Sequence, residues 1–209
     1  MNYKFLNKIE IDKILILTQK MNMSELPNDN IIAANFQTKV WRKIQEWYRG
    51  GKHNECEKYQ KNKLSIMLNI ELLKTNDRIN MRTKEIVNIA QPNKYENGFD
   101  YTENFDGIIN KNDSTYYLNL KFVCDKGGVQ TRTLREVYHF IEAQLIYLST
   151  HNTTNIYFIN ILDGDTSYNH MDKFNYLINN KEYIHIKKYV FIGSLYEFQT
   201  NTIKLQLTL

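Results

Sequence analysis

Apolar and polar positions follow two different rhythms along the chain, and the change falls at Pro92. Before it, the spacing is helical. Phe5, Ile9, Ile14, Leu15 and Leu17 make a rough stripe ahead of a break at residues 24–30. A second helix is expected over 31–48, stopped by Gly50-Gly51, and a third from about 54 to 74. Tyr59, Leu64, Met67, Leu68 and Leu72 would form the buried side of that third helix. After Pro92, turn residues (Gly98, Gly107, Asn110, Asn112, Asp113) separate short β-rich runs. Residues 105–110 and 115–123 read as strands joined by the short polar link 111–114, as a hairpin requires. In the second strand Tyr117, Asn119 and Lys121 share one face and Leu118, Leu120 and Phe122 the other, the alternation of a half-buried strand.

Gly127-Gly128 opens a further helix whose apolar stripe is Leu134, Val137, Ile141, Leu145 and Leu148. The nearly unbroken apolar run 155–162 has the character of an interior strand. A helix near 174–178 and a last strand over 189–196 complete the order. This order predicts an α/β fold, a mixed central sheet flanked by helices with an N-terminal helical region. The helical region 1–90 and the core 91–209 are expected to make one domain.

Composition narrows the picture only a little. Among 209 residues, 42% are hydrophobic and 13% aromatic, enough for a real core, so wholesale disorder is not expected. The 27 basic and 23 acidic side chains leave a formal charge of +4, which permits a polyanionic partner without requiring one. Cys56 and Cys124 match no metal-ligand spacing and read as reduced thiols of a cytoplasmic protein. No apolar run is long enough to span a membrane, and residues 1–19 lack an unbroken apolar stretch and a small-residue cleavage site, so neither a secretory signal nor a membrane partner is expected. The five histidines show no ligand pairing and read as structural or surface residues.

The chemistry-bearing feature is Phe105-Asp106-Gly107, followed by Asn119-Leu120-Lys121 thirteen positions after Asp106. Phosphodiester hydrolysis needs a cation to neutralise the phosphate and acidify an attacking water. Mg²⁺ accepts oxygen ligands and keeps several waters, so one or two side-chain oxygens and a backbone carbonyl suffice. An aspartate on one strand and an amide on its hairpin partner can converge on one ion. A lysine two residues on projects from the same face and could orient the water or offset phosphate charge. Asp-Gly is also a common turn pair, and a surface strand showing Asn and Lys is ordinary.

Asp106 with Asn119-x-Lys121 on a hairpin resembles the PD-(D/E)XK nucleases, the superfamily of type II restriction endonucleases. Residues 121–148 and the apolar strand ending in an acidic turn over 157–165 add to the likeness, which spans roughly 99–177. The resemblance implies Asp106 as a metal ligand, Asn119 as the second ligand with the Leu120 backbone beside it, and Lys121 as the catalytic lysine. Asn119 departs from the Asp or Glu usual in the family; an amide supplies a neutral oxygen, which would weaken metal affinity or shift reliance to another acid. Members often add an acid from the preceding helix, for which Glu57 and Glu55 are candidates and Glu71 a weaker one, each otherwise a solvated helix charge. Asp100, Glu103 and Asp163 are further nearby acids.

The start of the helix after Gly127-Gly128 offers backbone N–H groups with Lys126, Gln130, Thr131, Arg132 and Arg135, which suit contact with DNA phosphates or guanine edges. The alternative is a capped helix with solvated arginines. A basic-aromatic cluster (Lys39, Trp41, Arg42, Lys43, Trp47, Tyr48, Arg49, Lys52) has the composition for stacking and backbone contact, although Trp41, Ile44 and Tyr48 are spaced as core. The reading is thus a Mg²⁺-dependent, site-specific endonuclease of double-stranded DNA acting as a homodimer. Its alternatives are a DNA-binding protein that has lost catalysis and a structure-selective repair or junction nuclease.

Overall fold

The computed structural model describes residues 37–51, 54–89, 102–125 and 127–199, with Asn201, Ile203 and Leu207. Thr38 caps a short helix α1 (Lys39–Lys43) through its hydroxyl, which accepts from the Trp41 N–H. Helix α2 (Glu55–Leu68) follows, and Asn69 ends it in the left-handed conformation. It stops short of the expected residue 74. Two strands, β1 (Asp77–Asn80) and β2 (Ile86–Asn88), stand where the sequence reading placed a helical region. They pair antiparallel, and β3 (Thr102–Asn104) joins the other edge of β1, giving a small sheet in the order β2-β1-β3. No regular apolar spacing marks these short strands, so the helical rhythm of the residues before them gives no sign of the change.

The main sheet runs β4 (Gly107–Lys111), β5 (Ser114–Phe122), β6 (Ile156–Asp163) and β7 (Val190–Gly193), in that order. The β4–β5 hairpin is antiparallel, with Gly107 opposite Leu118, and its turn residues Asn112 and Asp113 both have positive φ. Strands β5, β6 and β7 are parallel. The 24-residue helix α3 (Gly128–His151) makes the crossover from β5 to β6. Beyond β6 come α4 (Asp165–Asn169) and α5 (Met171–Ile178); after β7 comes α6 (Leu195–Phe198), begun by a capping box between Ser194 and Glu197. The last strand is therefore shorter than expected and gives way to this helix. Mixed α/β architecture with flanked sheet is as the pattern implied.

The core has two layers. On one face Tyr117, Phe158 and Leu162 pack against Leu134, Val137, Phe140, Ile141, Leu145 and Leu148 of α3. On the other, Tyr116, Leu118, Leu120, Ile159 and Ile161 pack against Leu64 and Leu68 of α2 and Leu195 and Phe198 of α6. Strand β5 is thus buried on both faces over Tyr116–Leu120 rather than half-buried. Its Asn119 is an interior residue, not a surface one. The expected stripe over residues 5–17 lies outside the described residues. No described helix is long and apolar enough to cross a membrane.

Gly164, just after β6, has φ +99°, and a Cβ there would stand 2.2 Å from the Val123 carbonyl oxygen. Gly164→Ala must therefore shift backbone that joins β5 to α3, and we expect it to lower stability by at least about 1–3 kcal/mol. Gly128, at the first position of α3, has nothing within 4 Å of its missing Cβ. Gly128→Ala should leave stability unchanged or raise it slightly. Urea denaturation of the two variants beside the parent measures both effects, and equal losses would contradict the contrast.

Candidate active site

The chain changes sheets at Asp106. The Phe105 N–H donates to the Asp77 carbonyl of the small sheet, and the next N–H, that of Asp106, donates to Leu118 of the main sheet. Strand β5 continues past Leu118 without β4 beside it. The Leu120 N–H on that open edge needs an acceptor, and the Asp106 carboxylate supplies it: Oδ2 accepts from Leu120 N at 2.7 Å. The same oxygen lies 3.3 Å from Lys121 Nζ. By the alternation of an antiparallel edge, the Leu120 carbonyl faces the same side as its N–H. Asp106, Leu120 and Lys121 are thus brought together.

Burial raises the Asp106 carboxyl above the usual carboxylate range; Lys121 and the Leu120 N–H oppose the rise, and Glu57 adds to it. Glu57 is therefore near enough to be felt at Asp106, although it pairs with Lys61 one turn along α2. Glu55 does something else. Its carboxylate accepts from the Arg49 and Gly51 N–H groups and closes the loop before α2. Glu71 is exposed. Glu103, in the middle of β3, shares the electrostatic surroundings of Lys121, Glu136 and Asp106.

Asn119 is 1% exposed, and continuing the β4–β5 register one step sets it across from Asp106. Its Nδ2 donates to Asn160 Oδ1 at 2.8 Å, while its own Oδ1 is buried without a hydrogen-bond partner. This unspent neutral oxygen, the acidic Asp106 and the Leu120 carbonyl are the donors a Mg²⁺ ion takes, and Asp106 uses only Oδ2 in its two contacts. In donor type these residues would suit such an ion, as a weak site. Among the described residues no group of three His, Cys, Asp or Glu side chains is placed to hold a metal.

The other expected contacts separate. Thr131 Oγ1 donates to the Gly127 carbonyl, and no side chain caps the start of α3. Arg132 and Arg135 are exposed on α3, Arg132 lying 3.8 Å from Glu136. The Gln130 side chain folds back toward Gly127, whose added Cβ would meet Oε1 at 2.7 Å. Lys126 lies outside the described residues, as do Asp100, Lys52 and His53. The basic-aromatic cluster is largely internal packing: Trp41 stacks on Phe122, Trp47 stacks on Tyr59 at 4.5 Å, and Lys39 pairs with Asp125. His139, His151 and His170 hold local contacts with Glu142, Glu85 and the Thr166 carbonyl. Both cysteines are free, and burial raises both thiols, Cys124 to about 11.

Behind the site lie buried polar groups, of which the sequence alone singles out Asp163 but not Gln60, Gln144 or Asn160. Gln60 on α2 is fully buried and donates from Nε2 to the Lys121 carbonyl (3.0 Å) and to Asp163 Oδ2 (2.8 Å). Asp163 also accepts from the Leu195 N–H, tying β6 to α6. Gln144 of α3 and Asn160 of β6 exchange two amide hydrogen bonds. The signal for them was present: Gln60 is in step with Leu64 and Leu68, Gln144 adjoins Leu145 in an apolar stripe, and Asn160 interrupts an apolar strand.

No protein-family model, no curated protein and no solved structure matches the chain.

Burial is the chief cause raising the Asp163 carboxyl to about 6, above its ordinary 3.8, while Gln60 and Leu195 hold it down. A raised carboxyl binds its proton more tightly in the folded chain, so its contribution to stability is full at low pH and falls as pH rises from about 4 to about 6. Asp163→Asn removes that slope. Guanidinium unfolding at several pH values should show the parent losing stability relative to the variant across this window; parallel curves would contradict the assignment.

Proposed function

We propose that the chain is a Mg²⁺-dependent endonuclease of the restriction type, cutting double-stranded DNA at a short specific site as a homodimer. The observation that carries the reading is the Asp106 carboxylate held between the Leu120 N–H and the Lys121 ammonium, where β4 leaves β5. Asp106, the Leu120 carbonyl and Asn119 Oδ1 would hold the cation, which when bound neutralises phosphate charge and acidifies a water. Lys121 adds a positive charge beside the scissile phosphate and a donor to the attacking water. Glu57 and Glu103 lie close enough to influence the charge of the site. The exposed Arg132 and Arg135 on the helix that follows are suited to the DNA backbone or guanine edges. Two copies related by a two-fold axis would present one site to each strand of a palindrome.

A second reading is favoured by Asn119, whose amide is built into the interior through Asn160. On that reading the chain binds specific DNA without cutting it, and its binding weakens steeply with salt.

Plasmid DNA incubated with the protein and Mg²⁺ should give discrete fragments. Lys121→Ala should slow cutting by about 10²–10⁴-fold, and Asp106→Ala should reduce it to background. Specific retention of DNA with no cutting in any divalent cation would favour the second reading, and neither cutting nor binding would remove both.

A further inference from the structure

Asn160 has every hydrogen-bonding capacity of its amide engaged, and one of its partners fixes which way round it sits. A backbone carbonyl can only accept, so the Phe191 oxygen, 3.2 Å away, requires the nitrogen end of Asn160. The second proton on that nitrogen goes to Gln144 Oε1 at 2.8 Å. Gln144 therefore returns its own nitrogen to Asn160 Oδ1, at 3.1 Å. One lone pair of Asn160 Oδ1 remains, and it is filled by Asn119 Nδ2 at 2.8 Å. Asn119 and Asn160 are register partners on the parallel strands β5 and β6, so the contact is built into the sheet. All three amides are within 1% of complete burial, where turning any one over would set oxygen against oxygen.

The consequence runs outward from the Phe191 carbonyl. With Asn160 fixed, Asn119 must offer it a nitrogen, and the Asn119 oxygen is left buried and unpartnered. An amide that gives its donor and keeps its acceptor unspent, across from Asp106, is oriented as a ligand. We infer that Asn160 and Gln144 are positioning residues, which hold Asn119 with its carbonyl oxygen free to bind the divalent cation of the proposed site. The inference rests on the metal-dependent reading above and names how that site obtains a neutral oxygen. It also accounts for an amide at a position where a carboxylate would be the stronger ligand. A carboxylate would set an oxygen against Asn160 Oδ1, with no nitrogen end to offer.

The test is a double-substitution cycle read by Mn²⁺ binding to the protein alone, followed by the loss of the free-ion electron paramagnetic resonance signal. In the parent background Asn160→Val should weaken Mn²⁺ binding by about 10-fold or more, because Asn119 is then free to turn over. In the Asn119→Asp background the same change should leave binding within about threefold or tighten it, since a carboxylate presents oxygen either way round. Gln144→Met makes the same test more gently should Asn160→Val fail to fold. Equal weakening in both backgrounds would show that the amides act only through packing, and overturn the inference. No effect in either background would show that Asn119 is not a ligand, with the same result. Failure of the parent itself to bind Mn²⁺, with Asp106→Ala unchanged, would overturn the metal-dependent reading as well.

Discussion

The open edge of β5 beyond Leu118 is the constraint around which this molecule is arranged. A buried strand cannot leave an N–H without an acceptor, because the desolvation penalty is about 1–3 kcal/mol. Strand β4 begins only at Gly107, and the Asp106 side chain takes over the role that a further backbone carbonyl would have filled. That one hydrogen bond places a carboxylate on the sheet edge, beside the Lys121 ammonium. It also sets the turning point between the two sheets, since Phe105 still bonds to Asp77 and Asp106 to Leu118. The Asp106–Lys121 charge pair and a local folding requirement therefore share the same atoms.

Polar groups buried behind this edge hold it in place from three sides. Gln60 ties α2 to the carbonyl of Lys121 and to Asp163, and Asp163 ties β6 to α6. The Gln144–Asn160–Asn119 chain ties α3 to β6 and β5. Such networks contribute little net stability and are costly when incomplete, so their yield is a unique arrangement more than a deep energy minimum. The unpartnered oxygens of Gln60 and Asn119 are the places where that accounting is left open.

Much of this was legible in the sequence because the decisive signals are periodic. The alternation around Tyr117–Phe122, the stripe from Leu134 to Leu148 and the apolar run before Asp163 located the hairpin, the crossover helix and the interior strand to within a residue or two. The short strands Asp77–Asn80 and Ile86–Asn88 were not legible, being too brief to establish a period and stabilised by pairing rather than pattern. Asp106 and Lys121 were legible as a pair because hairpin register brings them together. Glu55 could not be told from Glu57 by spacing; only the loop it closes distinguishes them. The burial of Asn119 was missed because alternation alone cannot say that both faces of a strand are covered.

The role proposed for Asp106 and Lys121 is the hydrolysis of DNA. The most direct measurement is to incubate the protein with a random-sequence duplex library and Mg²⁺ and to map the ends produced. A site-specific cutter of this kind should leave cuts at one short recurring sequence, related by a two-fold axis, and absent with the Asp106→Ala protein. Ends that are undetectable, or identical with and without the Asp106 carboxylate, would contradict it.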